Sequence, residues 1–295
     1  NPSVWHAPGK FDPVTGEIKK SKGTGVLKYQ DVFGKTLVEL AEKNEKIVGV
    51  TAAMPSGTSM CVMQEKIPER TFDVGIAEGH AVTFSAGLAK DGLKPFCAIY
   101  STFLQRAYDS IINDVAILNL PVTFCIDRAG LVGEDGVTHQ GAFDLAYMRC
   151  VPNMVVAAPM NEHWLRNLMF TVQSRESGPV AIRYPRGNGV LVDWKNEFQS
   201  VEIGKGRKLA DGDKVAVLSI GHIGNNVSQV VDELRNQGIN VAHYDMVFLK
   251  PLDESIMKEV GEKYKAVVTV EDGTVVGGLG TTVADWFNAH DYNVK

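Results

Sequence analysis

A glutamate, a histidine and several arginines are the residues of this chain best suited to chemistry. Glu78 opens an apolar-patterned stretch, His139 lies in a glycine-rich loop, and Arg128, Arg183 and Arg186 follow apolar runs. A carboxyl group against a partly apolar wall can hold or share a proton, because desolvation raises its pKa. An imidazole exchanges protons near neutral pH. Guanidinium forks match the oxygens of phosphates and carboxylates. These residue types together point to an enzyme handling a small anionic molecule.

The elements that must position them follow from hydrophobic periodicity. Helical spacing of Val32, Phe33, Thr36, Leu37 and Leu40 predicts a helix over residues 30–42, with further helices over 78–90, 102–120 and 162–173. Short apolar runs predict strands at 47–51, 71–76, 96–100, 121–126, 154–158 and 180–184. A second set follows: strands at 214–220, 241–246 and 266–270, and helices at 225–237, 254–264 and 281–289. Near-continuous apolar strands joined by helices imply an α/β fold with two doubly wound, mainly parallel sheets. The polar, glycine-punctuated residues 1–28 read as a linker, 29–190 as one domain and 201–295 as a second, truncated one, with the boundary between residues 187 and 204. Ligands of open parallel sheets bind beyond the carboxyl ends of the strands. The residues that follow predicted strands are Glu78; Tyr100 and Ser101; Asp127 and Arg128, with Glu134, Asp135, His139 and Gln140 in the loop beyond; and Arg183 and Arg186.

The chain has 295 residues, a formal charge of −5, 44% hydrophobic and 22% charged residues, as in ordinary soluble globular proteins. A mild acidic excess spread along the chain argues against a nucleic-acid partner. No apolar run approaches the ~18 residues of a membrane span. The four cysteines form no C-x-x-C pair, so zinc and dithiol chemistry lack their spacing. Buried free thiols suit a reducing, cytoplasmic setting. The clusters Gly221-His222-Ile223-Gly224 and 273–280 precede helices; they read as tight strand-to-helix turns, since glycine clusters alone are weak phosphate signals.

Longer motifs are more specific. Phe72-Asp73-Val74-Gly75-Ile76-Ala77-Glu78-Gly79-His80-Ala81-Val82-Thr83-Phe84 is similar to the pyrimidine-domain signature of the transketolase-like thiamine-diphosphate enzymes. Tyr100-Ser101-Thr102-Phe103-Leu104-Gln105-Arg106-Ala107-Tyr108-Asp109, Asp127-Arg128-Ala129-Gly130, Gly136-Val137-Thr138-His139-Gln140-Gly141 and Arg183-Tyr184-Pro185-Arg186-Gly187 resemble the deoxyxylulose-phosphate synthase branch of that family. The resemblance runs from His6 to Gly280. Gly79 stands where family members commonly carry glutamine, and the family's Gly-Asp-Gly metal and diphosphate motif is absent from this sequence.

That resemblance implies thiamine diphosphate as cofactor, with Mg²⁺ and diphosphate ligands in a preceding domain, so that no metal ligand is expected here. It implies a dimer of identical chains, pyruvate and D-glyceraldehyde 3-phosphate as substrates, and a transferase whose product serves isoprenoid and thiamine synthesis. This chain alone would be inactive. Glu78 would hydrogen-bond N1′ of the aminopyrimidine, Phe103 would stack on that ring, and Arg106 would line the same wall. Tyr100, Ser101, Arg128, Asp135 and Arg186 would hold the phosphorylated acceptor. His139 would manage protons, and His6 would reach the site from the linker. On pattern alone, a first-turn glutamate equally complements a helix dipole, and the arginines equally form surface ion pairs. A transketolase, a 2-oxo acid dehydrogenase β subunit and a non-catalytic dimerisation module are the competing readings.

Overall fold

The computed structural model describes residues 10–18, 25–133 and 136–295. Its first sheet has seven strands, in the order β10-β5-β6-β4-β3-β1-β2. These are β1 (Ile47–Thr51), β2 (Thr71–Asp73), β3 (Lys94–Tyr100), β4 (Thr123–Asp127), β5 (Val155–Ala157), β6 (Val180–Arg183) and β10 (Phe248–Lys250). Every pairing is parallel except that of β10 with β5.

Alternation along the buried strands sorts side chains to two faces. Ile47, Phe96, Ala98 and Cys125 face α1 (Tyr29–Lys43) and α5 (Glu162–Val172), meeting Phe33, Leu37, Leu165 and Met169. Val50, Cys97, Ile99 and Phe124 face α3 (Glu78–Lys90) and the helical run 101–116, meeting Ala81, Val82, Ile111 and Val115. Asn161 caps α5 by accepting the Trp164 N–H at 3.2 Å, which satisfies one donor of the helix's first turn. A short α2 (Cys61–Lys66) covers the sheet near β1 and β2.

The second sheet runs β11-β8-β9-β7, with β7 (Arg207–Ala210) antiparallel to β9. Its parallel strands are β8 (Val215–Ser219), β9 (Ala242–Asp245) and β11 (Ala266–Val270), joined by α6 (Gly224–Asn236) and α7 (Glu254–Lys263) and followed by α8 (Leu279–Ala289). Leu218, Tyr244, Leu279 and Phe287 of this unit join the core of the first through Leu145 and Met148 of α4 (Asp144–Cys150). The strand β10 adds a second seam, because it leaves the second unit to close the edge of the first sheet.

The mainly parallel α/β fold is as expected, with local differences. The helix anticipated over 102–120 is a run of α, 3₁₀, α and π turns ending at Ala116. Such irregular turns mark strain or function more often than a plain amphipathic face does. The strand anticipated over 71–76 stops at Asp73. Its carboxylate accepts N–H bonds from Ala53 at 2.7 Å and Gly75 at 3.0 Å, turning the chain early. No expectation covered β7 or β10, each three or four residues long. All four cysteines are unpaired. No helix among the described residues is long and apolar enough to cross a membrane.

The segment between the units is not a slack tether. Arg166 on α5 is fully buried and donates to Thr36 Oγ1 at 3.1 Å, Glu39 Oε2 at 3.1 Å and the Asn196 carbonyl at 3.2 Å. Its guanidinium lies 4.4 Å from the Phe198 ring centre and 5.3 Å from that of Trp194. Removing one partner of a buried ion pair strands the other groups. Arg166→Ala should therefore cost about 3 kcal/mol in urea unfolding; a loss below about 0.5 kcal/mol, the scale of a surface change, would contradict this account.

Candidate active site

The candidate residues gather at the carboxyl ends of β1, β3 and β4, where a parallel sheet leaves its crevice. Glu78 is the first residue of α3 and only 5% exposed. The turn made by Asp73 and by Gly75, at φ +73°, delivers it there. A cavity of about 180 Å³ lies beside it, lined by Ala52, Ala53, Met54, Ile76, Glu78, Phe103 and Arg106. Arg106 Nη1 donates to Glu78 Oε1 at 3.3 Å, while the rest of the arginine reaches toward solvent. The cavity thus has one carboxylate, apolar walls and an aromatic face. That donor set fits a flat heteroaromatic ring presenting a hydrogen-bonding nitrogen.

A chain of ring contacts leads outward. Phe103 stacks on Tyr100 at 5.7 Å between ring centres and meets the His139 ring edge-on at 5.3 Å. The Arg128 guanidinium lies 3.8 Å from the Tyr100 ring centre, a cation–π distance. Tyr100 also lies against Gly57, where a Cβ would stand 1.6 Å from its hydroxyl oxygen. Arg128 Nη1 donates to the Gly57 carbonyl and to Asp127 Oδ2, both at 2.9 Å. Arg128 adopts φ +58°, an unusual region for a residue with a side chain. The Asp127 carboxylate accepts the Arg128 backbone N–H at 2.6 Å and so supports that turn.

Asp127 is fully buried, and burial pushes its pKa up to about 7 despite the attraction of Arg128 and, further off, Arg186. Arg186 is therefore close enough for its charge to act on the same carboxylate. Ser101 turns inward and donates to Asp144 Oδ2 at 3.2 Å. Asp144 also pairs with Arg183 Nε at 3.1 Å. Arg183, which sequence grouped with the other strand-end arginines, is buried in the interface of the two units rather than presented to solvent. His6 and Asp135 lie outside the described residues.

Sequence reasoning missed Asp144 and Asp272. Asp144 begins α4, after a loop with no periodic signal. Asp272 belongs to the second unit and contacts Leu131 N–H at 3.0 Å. Neither sits in a motif, and only the fold brings them to the crevice. The glycine-rich turn before α8 is filled from within: Glu271 accepts N–H bonds from Leu279 at 2.8 Å and Gly280 at 3.1 Å. A carboxylate already occupies the position that a phosphate would take at such a helix end. Among the described residues, no group of three or more His, Cys, Asp or Glu side chains is placed to hold a metal ion.

Residues 26–190 match the transketolase pyrimidine binding domain and residues 204–295 the transketolase C-terminal domain. The chain belongs to the transketolase family. It is 60% identical over 291 residues to a protein of Bacteroides thetaiotaomicron named 1-deoxy-D-xylulose-5-phosphate synthase, a match spanning 98% of this chain and 45% of that relative. A Chlorobium phaeovibrioides protein of the same name is 50% identical over 287 residues, 97% of this chain and 45% of the relative. The chain therefore spans about 45% of the length of these relatives. Among solved structures it is similar to a split gene transketolase described as an inactive beta4 tetramer, with a TM-score of 0.79 and 32% identity, covering 90% of this chain and 86% of that one.

The raised pKa of Asp127 has a definite sign. The folded protein binds this proton more tightly than the unfolded chain does, whose carboxylate titrates near its ordinary value of about 3.9. Stability from this residue therefore falls as pH rises from about 4 to about 7, then levels. Asp245, raised by burial to about 6, adds a slope of the same sign, so the variant must be read against wild type. The stability of Asp127→Asn relative to wild type should rise between pH 5 and pH 7.5 in chemical unfolding. A relative stability that does not change over this range, or that falls, would contradict the raised pKa.

Proposed function

We propose that this chain forms the pyrimidine-binding and C-terminal part of a 1-deoxy-D-xylulose-5-phosphate synthase. The parent enzyme would decarboxylate pyruvate and join the remaining two carbons to D-glyceraldehyde 3-phosphate. The observation that carries this reading is the buried Glu78 beside a cavity with the Phe103 face, continued through Tyr100 to Arg128. A ring-binding cavity and a guanidinium at the end of one aromatic wall suit a heteroaromatic cofactor next to a phosphorylated acceptor. The identity to the named synthases over nearly the whole chain supports the same choice.

Thiamine diphosphate, when bound, supplies the electron sink that makes decarboxylation and carbon–carbon bond formation accessible. The residues of this chain do the remaining work. Glu78 would share a hydrogen bond with the pyrimidine ring nitrogen, and its burial keeps water from competing for that bond. Phe103 offers the ring an apolar face, and Arg106 steadies the Glu78 carboxylate from the solvent side. Arg128 and Arg186 anchor the acceptor phosphate, with Tyr100 fixing the plane of the Arg128 fork. His139, in contact with Phe103, is the proton carrier on the substrate side. Ser101 acts through Asp144. Mg²⁺ and the diphosphate would be held by the part of the relatives' length that this chain does not span, so the isolated chain would be inactive. Two copies of the parent chain would form the working dimer.

A second reading, a transketolase part carried on its own gene, is favoured by the likeness to the split gene transketolase. That reading predicts a ketose donor instead of pyruvate. It is weakened by identity of only 32% there, against 60% to the synthases.

Variants in the full-length enzyme test the assignments. Glu78→Ala should lower kcat by about 100-fold or more, the scale of a lost proton-transfer group. Arg128→Ala and Arg186→Ala should each raise KM for D-glyceraldehyde 3-phosphate by about tenfold or more, the scale of a charge-assisted hydrogen bond, and leave KM for pyruvate nearly unchanged. Near-normal turnover by the Glu78 variant, or equal effects of the arginine variants on both substrates, would sink these roles.

A further inference from the structure

The second unit sends one carboxylate to the rim of the site. Asp272 stands two residues beyond β11, and three groups fix it. Its Oδ1 accepts the Leu131 N–H at 3.0 Å. Its Oδ2 lies 3.4 Å from His222 Nε2. Its backbone carbonyl accepts from Arg183 Nη2 at 2.8 Å, and Arg183 is in turn paired with Asp144. The carboxylate closes against Gly130, at φ +80°, where a Cβ would stand only 2.0 Å from Asp272 Oδ2. Glycine is needed at this corner for two reasons, its backbone conformation and the approach of this side chain.

The corner is joined directly to the acceptor side. Gly130 and Gly141 exchange two backbone hydrogen bonds, each 2.8 Å. Gly141 is itself wedged: a Cβ there would stand 2.3 Å from the Arg128 carbonyl oxygen and 2.7 Å from Ser101 Cβ. Val132 N–H donates to Gln140 Oε1 at 2.8 Å, tying the residue before Gly141 to the residue after Leu131. Arg128 precedes the corner by two residues, and His139 precedes Gly141 by two. With so little free space, a shift of Gly130 and Leu131 must move Arg128 and the His139 side together.

We propose that Asp272 is a positioning residue: by gripping the Gly130–Leu131 corner, it sets where Arg128 and His139 stand, so that the second unit tunes the acceptor side of the site without touching the acceptor. The grip is read from geometry alone, and its consequence for the acceptor rests on the reading of Arg128 given above. Asp272→Ala removes the acceptor of the Leu131 N–H. Asp272→Asn keeps an oxygen there.

Both variants should be made in the full-length enzyme and followed by hydrogen exchange at the Leu131 amide and by steady-state kinetics. Asp272→Ala should speed Leu131 exchange by about tenfold or more, matching the loss of one charge-assisted hydrogen bond. It should raise KM for D-glyceraldehyde 3-phosphate by a similar factor through Arg128 and lower kcat several-fold through the displaced His139, while KM for pyruvate stays within about twofold. Asp272→Asn should retain most of the protection and the KM, which also guards against an alanine variant that fails to fold. Unchanged Leu131 exchange in the alanine variant overturns the proposal, as does faster exchange with an unchanged KM. If the wild-type enzyme makes no ketose phosphate, the functional reading fails, and the exchange measurement alone decides the grip.

Discussion

Two carboxylate–guanidinium pairs, Asp127 with Arg128 and Asp144 with Arg183, sit nearly dry at the carboxyl edge of the seven-stranded sheet. Taking these charges from water is expensive, and geometry must offset the cost. Each carboxylate therefore has several partners. Asp127 bonds a backbone N–H as well as a guanidinium, and Asp144 bonds Ser101 as well as Arg183. The rest of the crevice is arranged around them. Arg128 lies over Tyr100, Tyr100 stacks on Phe103, and Phe103 borders the cavity of Glu78. A wall built from mutual contacts of this kind limits the ordering cost that binding would incur.

The second of these pairs also joins the two units. Arg183 ends β6 of the first sheet and donates to the backbone of Asp272 from the second. The strand β10 crosses over to pair with β5, and the apolar core is continuous through α4. The crevice is thus built on elements of both units, although most of the side chains that face it come from one.

Much of this was legible in the sequence because the signals were local. Apolar runs gave β1, β3 and β4, helical spacing gave α1 and α3, and the residue after each strand marked the crevice. Glu78, Tyr100, Arg128 and His139 follow from that rule. What escaped was non-local. A strand as short as β10 carries no periodicity. The break in the helical run 101–116 is invisible to a pattern that asks only which face is apolar. Arg183 and Arg186 are indistinguishable as strand-end arginines until the fold buries one with Asp144. Asp272 reaches the site only because two units pack, and no spacing within either announces it.

The central proposal is that the aromatic wall joins a thiamine-binding cavity to an anchor for an aldehyde phosphate. The most direct measurement is release of carbon dioxide from labelled pyruvate by the full-length enzyme with thiamine diphosphate and Mg²⁺, with and without D-glyceraldehyde 3-phosphate. The account predicts release that rises sharply with the aldehyde phosphate, together with a five-carbon ketose phosphate. Release indifferent to that acceptor, or no release at all, would contradict it.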